Sequence, residues 1–237
     1  MYNINKLESI PALILVGGFG KRLRSLTKNL PKVLINVRGN PFLHYILEYL
    51  HDQGIREVIL CTGYKAQEIN NYCGDGSKWN LQIAYSSEDQ ALGTGGAIYN
   101  ARNMIKSNTF LVLNGDSLFR IDLNSLLDFH VKSMSKISIC LTMVDNIKRF
   151  GSININPNGT ITEFVEKGKS GAGFINAGTY LIEREVFSRF PRKKVISLEY
   201  DIFPDFVHKG LYGKLFKGAF LDIGTPRSLE NVNKMIN

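Results

Sequence analysis

A short glycine run carries the first chemistry in the chain. Gly17-Gly18-Phe19-Gly20 is followed at once by Lys21 and Arg22, and later by Pro31-Lys32. Glycines let backbone N–H groups close on phosphate oxygens. A guanidinium forks onto a polyphosphate, and a lysine adds a compact charge. Two common phosphate loops fail against this stretch. The P-loop requires Ser or Thr after Gly-Lys, but Arg22 follows Lys21, and its leading glycine position is Leu15. The dinucleotide fingerprint requires a third glycine and an acid about 20 residues on; no acid appears before Glu48. A second pair of interest is Asp116 and Asp222, each at the end of an apolar run. Hard carboxylate oxygens, few in number, suit Mg²⁺ shared with substrate phosphates.

The elements around these residues follow a rhythm. Pro11 to Val16 reads as a buried parallel strand running into the glycine loop. Phe42, Leu43, Ile46, Leu47 and Leu50 fall at helical spacing, with Gly54 as a stop. Glu57–Cys61 is the next strand, a short helix covers Ala66–Tyr72, and Leu81, Ile83 and Tyr85 alternate as a third strand. The pattern predicts a helix over Gly96–Ile105, a strand over Thr109–Leu113, a helix over Leu123–Val131 and β structure over Ile137–Val144. That alternation is the mark of a doubly wound α/β sheet, whose ligands sit at the carboxyl ends of the strands.

The second half changes character. Ser152–Asn156, Pro157-Asn158-Gly159 and Thr160–Val165 read as a β-hairpin. Ala177–Ile182 is another strand, Ser197–His208 a helix interrupted at Pro204, and Gly218–Asp222 a last strand. Thr225-Pro226 opens a terminal helix. With no linker, repeat or low-complexity tract, residues 1–237 read as a single domain. About 1–145 would bind nucleotide, and 146–237 would complete the site.

Composition removes several classes. The chain has 237 residues and a net charge of +8, from 29 Lys+Arg against 21 Asp+Glu. It is 44% hydrophobic, which is enough for a large core and excludes disorder. Cys61, Cys73 and Cys140 are few and far apart, so neither a disulfide scaffold nor a zinc site is expected. No apolar run reaches the ~20 residues of a membrane span, and no signal-peptide core precedes Pro11. A cytoplasmic protein is the expectation. From Ser9 to Leu47 there is no acid, against Lys21, Arg22, Arg24, Lys28, Lys32 and Arg38. Without basic–aromatic interleaving, nucleic acid is not the expected partner of this basic stretch. His44, His51, His130 and His208 show no pairing with a Ser or Cys nucleophile and are assigned to core or surface.

Six blocks in order now carry a resemblance: Gly17–Leu23 with Leu26-Thr27 and Pro31-Lys32, Leu92–Ala97, Asn114–Asp116, Phe164–Lys167, Ile175–Gly178 and Leu221–Pro226. Together they resemble the sugar-1-phosphate nucleotidyltransferases. Lys21 stands where that family usually has Thr, a departure in the phosphate loop.

The resemblance implies a doubly wound, mixed but mostly parallel sheet with a small β-rich sugar-binding part. It implies transfer of a nucleoside monophosphate from a nucleoside triphosphate to a sugar 1-phosphate, with Mg²⁺ as cofactor. Arg22 and Lys32 would carry the catalytic charge. Val16, Gly17, Gly18, Gly20, Lys21, Arg22, Tyr64, Gly93, Thr94 and Asp116 would bind nucleotide. Lys32, Gly115, Glu166, Lys167, Asn176 and Gly178 would bind the sugar phosphate, and Asp116 and Asp222 the metal.

Within the family, the short length, Leu-Gly-Thr-Gly-Gly-Ala and Asn-Gly-Asp resemble the heptose 1-phosphate guanylyltransferases. Mannose 1-phosphate guanylyltransferases and N-acetylmuramate 1-phosphate uridylyltransferases are neighbours. A non-catalytic nucleotide-sugar sensor is the alternative from another class; retained Arg22, Lys32, Asp116 and Asp222 speak against it. Oligomeric state is left open by these residues.

Overall fold

Apolar runs and amphipathic faces find their partners in the computed structural model, which describes residues 7–18, 20, 23, 30–165, 168, 170–189 and 195–236. The first strand, β1 (Ala12–Leu15), is buried on both faces because each face has a cover. Alternate side chains diverge. Ala12 and Ile14 point into one core, shared with α1 (Phe42–Asp52), α2 (Ala66–Cys73), α4 (Leu123–Lys132) and α5 (Pro226–Met235). Leu13 points into a second core, shared with α3 (Gly93–Ala101) and the segment around Leu198–Phe203.

Seven strands build the central sheet: β1, β4 (Glu57–Thr62), β5 (Gln82–Ser87), β6 (Thr109–Asn114), β8 (Ile137–Val144), β11 (Gly173–Glu183) and β12 (Leu211–Leu215). Short pairs stand outside it: β2 (Asn36–Val37) with β3 (Asn40–Pro41), β7 (Ser117–Phe119) with β13 (Phe220–Asp222), and β9 (Ser152–Ile155) with β10 (Ile161–Val165). The sheet order is β12-β8-β11-β6-β1-β4-β5. β1 pairs in parallel with β4 and β6, β4 with β5, and β12 with β8, while β11 runs antiparallel to β6 and β8. The chain winds from β1 out to β5, then returns to the other side of β1 at β6. The direction of winding therefore reverses between β1 and β6, which is where such sheets bind ligands.

Three stretches differ from expectation. The helix predicted over Gly96–Ile105 is α3, Gly93–Ala101, three residues earlier. Glycines open it because the Ile196 carbonyl accepts the N–H groups of Gly95 and Gly96 at 2.8 and 3.1 Å, a cap supplied from far along the chain. The Ser197–His208 helix is a π-helical turn, Leu198–Ile202, followed by one short helical turn, Phe203–Phe206, with Pro204 at the restart. β12 was not expected. Its sequence, Leu-Tyr-Gly-Lys-Leu, carries a mid-strand glycine that weakens the pattern.

The terminal helix opens as expected. Thr225 accepts the Ser228 N–H, and Ser228 accepts back from Thr225, a reciprocal capping box. Thr225→Ala is expected to cost about 1 kcal/mol, read as a lowered midpoint in urea with an unchanged slope. The histidines also behave as expected: His130 is buried between Ser138 and Glu183, and His44 accepts the Trp79 indole N–H at 2.9 Å. Among the described residues, no helix is long and apolar enough to cross a membrane.

Candidate active site

A cleft of about 540 Å³ opens at the carboxyl ends of β1 and β6, where the winding reverses. Val16, Gly17, Gly18, Gly20, Lys32, Gly93, Thr94, Gly115 and Asp116 all line it. These are nine of the predicted site residues, and they come from four separate stretches of chain.

Close backbone approach explains the glycines. A Cβ on Gly115 would sit 2.7 Å from the Leu15 carbonyl, which accepts the Gly115 N–H at 3.0 Å. Gly115 therefore lets the end of β6 lie against the end of β1. A Cβ on Gly20, at φ +57°, would meet the Lys32 stem at 3.0 Å. Gly18 has open space in that direction, as a backbone kept clear for a ligand would.

Lys32 follows Pro31 at the start of a 3₁₀ turn, Lys32–Leu34, whose Val33 and Leu34 are buried. That anchorage aims the Lys32 ammonium across the cleft at Asp116, with Nζ 2.6 Å from Oδ2. Asp222 reaches the same place from over 100 residues away. β13 pairs antiparallel with β7 in a register that sets Asp222 opposite Ser117. The Asp116 carbonyl accepts the Ile223 N–H at 3.0 Å, which closes that ladder. The two predicted metal ligands thus stand at one end of that ladder, Asp116 just before β7 and Asp222 at the end of β13. Asp222 receives the Gly224 N–H on Oδ1 at 2.9 Å and the Arg149 guanidinium on Oδ2.

The donor chemistry fits a hard divalent cation. Among the described residues, no group of three or more His, Cys, Asp or Glu gathers into a cage. Mg²⁺ asks for less: one or two carboxylates, with water and substrate phosphates completing the shell.

The antiparallel strand β11 carries Asn176 and Gly178, which were expected on the sugar side. Its register shifts between Asn176 and Tyr180, and Gly178 sits in the bulge at φ +76°. A Cβ there would press on Ser117 Oγ at 2.7 Å and Asn114 Nδ2 at 2.9 Å. Asn176 accepts the Gly178 N–H at 2.8 Å and donates to the Tyr180 hydroxyl at 2.9 Å. Asn114 Oδ1, at the cleft wall, is buried without a hydrogen-bond partner. Such an acceptor suits a hydroxyl arriving with a ligand.

Other expected residues have other positions. Tyr64 lies beside the loop, its N–H 3.4 Å from the Gly17 carbonyl, and does not line the cleft. The Thr94 hydroxyl is held by protein: it donates to Glu199 at 3.0 Å and accepts the Leu198 N–H at 2.8 Å. Lys21, Arg22, Glu166 and Lys167 lie outside the described residues.

Two site residues escaped sequence reasoning. Arg149 sits in a stretch with no strand or helix pattern, and only its contact with Asp222 reveals it. Glu88 lines the cleft just beyond β5, on the side away from β11. Its Oε2 accepts the Leu92 N–H at 2.9 Å, and burial raises its carboxyl above the ordinary range despite that bond. Cys61 also lines the cleft, but burial pushes its thiol up to about 12, so it is no nucleophile.

A glycine loop at the switch point, a lysine across it and two carboxylates at one end of the β7–β13 ladder define a nucleotidyltransferase type of site. The chain belongs to the nucleotidyl transferase family, whose model matches residues 11–237. It is 37% identical over 224 residues to the D-glycero-alpha-D-manno-heptose 1-phosphate guanylyltransferase of Aneurinibacillus thermoaerophilus, covering 94% of this chain and 96% of that one. It is 38% identical to the mannose-1-phosphate guanylyltransferase of Mycobacterium tuberculosis, covering 92% of this chain and 62% of that longer one. Its fold matches the crystal structure of HddC from Yersinia pseudotuberculosis complexed with GMP-PN, with TM-score 0.86 and 34% identity over 96% of this chain and all of that one.

Proposed function

We propose that the protein transfers a guanylyl group from GTP to D-glycero-α-D-manno-heptose 1-phosphate, giving GDP-heptose and pyrophosphate. One observation carries the reading: Lys32 and Asp116 pair beside a glycine loop at the sheet's switch point, with Asp222 brought to the same end of the β7–β13 ladder. The heptose guanylyltransferase relatives and the GMP-PN complex of HddC support the choice of sugar and base.

A phosphate oxygen of the sugar 1-phosphate attacks the α-phosphorus in line. The bond from that phosphorus to the bridging oxygen breaks, and pyrophosphate leaves with the electron pair. The nucleophile is already ionised, so no general base is required. The work is positioning and neutralisation of two anions. The glycine loop, Lys21 and Arg22 hold the β- and γ-phosphates, and Lys32 steadies the reacting phosphates. Asp116 and Asp222 hold Mg²⁺, which when bound draws charge from the α-phosphate and the leaving group. Glu166, Lys167, Asn176 and Gly178 take the sugar and its phosphate, with Gly115 between the two substrates. The nucleotide lies on the 1–145 part and the sugar phosphate on the 146–237 part.

Phosphates lying near Lys32 and Asp116 direct the base toward the β4–β5 side, where Glu88 lies. Guanine offers two adjacent donors, N1–H and the 2-amino group, to a carboxylate. Glu88→Gln is expected to raise KM for GTP by about 10- to 100-fold, since hydrogen bonds to a charged acceptor are worth about 1.5–3 kcal/mol. KM for UTP should stay within about twofold, because uracil lacks that donor pair. The raised carboxyl adds a pH signature: GTP affinity falls on acidification sooner than an ordinary carboxylate allows.

The deciding experiment measures pyrophosphate release with GTP, UTP, ATP and dTTP against heptose, mannose, glucose and N-acetylmuramate 1-phosphates. GTP with the heptose should give the highest kcat/KM. Preference for mannose 1-phosphate would move the protein beside its mycobacterial relative. Absence of release with every pair would sink the enzymatic reading.

A further inference from the structure

We propose that Arg149 is a further catalytic residue, one that exchanges partners. In the substrate-free protein its guanidinium occupies Asp222, where the divalent cation binds, and it passes to the phosphate of the sugar 1-phosphate when the cation takes that carboxylate. The inference rests on the metal role proposed above for Asp222.

The crowding around Asp222 favours the exchange. Oδ1 receives the Gly224 N–H at 2.9 Å, and Oδ2 receives Arg149 Nη2. The Asp222 side chain is 14% exposed, so little of it is left for another ligand. A cation that ligates through Oδ2 meets the positive guanidinium on the same oxygen, and their repulsion drives the guanidinium away. The surroundings hold Arg149 in reach and leave it room to leave. Its guanidinium lies 4.8 Å from the Phe150 ring centroid, and its side chain is 34% exposed. Gly224, which lines the cleft, leaves the gap that Nη2 fills: a Cβ there would stand 2.5 Å from it. By contrast, Arg56, Arg102 and Arg184 spend their guanidinium groups on backbone carbonyls.

Charge balance points the same way. Asp116 with Lys32 and Asp222 with Arg149 make two neutral pairs in the substrate-free site. A dication on the two carboxylates frees both side-chain cations at once. They are freed at the moment when a triphosphate and a sugar phosphate bring several negative charges into the same cleft. Arg149 also directly precedes Phe150, Gly151 and the hairpin β9–β10, the strands that lead to Glu166 and Lys167 on the sugar side.

A purely structural ion pair and an exchanging one differ in metal affinity. Mn²⁺ binding to the nucleotide-free full chain, followed by the electron paramagnetic resonance of free Mn²⁺, separates them. Arg149→Met is expected to bind Mn²⁺ at least about fivefold tighter than wild type, because a competing cation is gone. In the same variant KM for the sugar 1-phosphate should rise about tenfold, the loss of one charge-assisted phosphate contact, while KM for GTP moves less than about twofold, since the triphosphate keeps its own cations. Should the Met variant fail to fold, Arg149→Gln carries the test, with tighter Mn²⁺ binding and a raised KM for the sugar 1-phosphate. Mn²⁺ affinity equal to or weaker than wild type in the folded variant overturns the exchange. Asp222→Asn checks the underlying reading separately. It should lose Mn²⁺ binding; wild-type Mn²⁺ affinity there would overturn the metal role itself, whatever Arg149 does.

Discussion

Asp222→Asn, and equally Asp116→Asn, is expected to lower turnover by at least about a thousandfold, or about 4 kcal/mol of transition-state stabilisation. The amide keeps the size of the carboxylate, so the β7–β13 ladder and its Ile223–Asp116 hydrogen bond should persist. What disappears is a full negative charge at the point proposed for the dication and the two phosphates. In the Asp222 variant the partner left behind is Arg149, whose side chain is one-third exposed and can be solvated by water; in the Asp116 variant it is Lys32, only 12% exposed, which costs more stability. Pyrophosphate release should collapse in both, while the thermal midpoint moves by only a few degrees in the Asp222 variant. Turnover within tenfold of wild type in either variant would remove that residue from the metal site.

Gly93→Ala is expected to damage stability more than any other single change in the cleft wall. At φ +75°, a Cβ at this position would sit 2.5 Å from the Ile196 carbonyl oxygen. That oxygen caps α3 through Gly95 and Gly96, and it cannot retreat without breaking both bonds. The left-handed backbone costs about 1–2 kcal/mol and the overpacking about 1–3 more. A fall in Tm of roughly 5–15 °C follows for a domain of this size. Gly18→Ala is the control: nothing lies within 4 Å of its added methyl, so stability should change by less than about 0.5 kcal/mol. Its effect should appear as weaker nucleotide binding. Equal losses of Tm in the two variants would contradict the packing argument at Gly93.

The contrast between these two glycines also marks where sequence reasoning worked and where it stopped. Strands such as Pro11–Val16 and Thr109–Leu113 were legible because burial on both faces leaves a continuous apolar run. The terminal helix was legible because Thr225-Pro226 is a local signal, complete within one turn. The glycine loop, Lys32 and Asp116 could be nominated because phosphate chemistry restricts residue type. Nothing local, however, says that Gly93 is a glycine because of Ile196, or that the Thr94 hydroxyl is consumed by Leu198 and Glu199. Those are contacts across 100 residues, and they shifted the start of α3 by three positions. Arg149 was invisible for the same reason: its meaning lies wholly in Asp222, and neither residue's neighbours in the chain mention the other.

The β7–β13 pairing has a consequence for how the protein comes into being. All seven strands of the central sheet are encoded by Leu215, whereas the second carboxylate arrives only with Phe220–Asp222. Synthesis therefore delivers the frame before it delivers the last piece of the machinery. With that frame in place, only residues 216–219 separate β12 from β13, so the closure that sets Asp222 opposite Ser117 is a short one. A growing chain emerging from the ribosome gains its architecture first and its competence last.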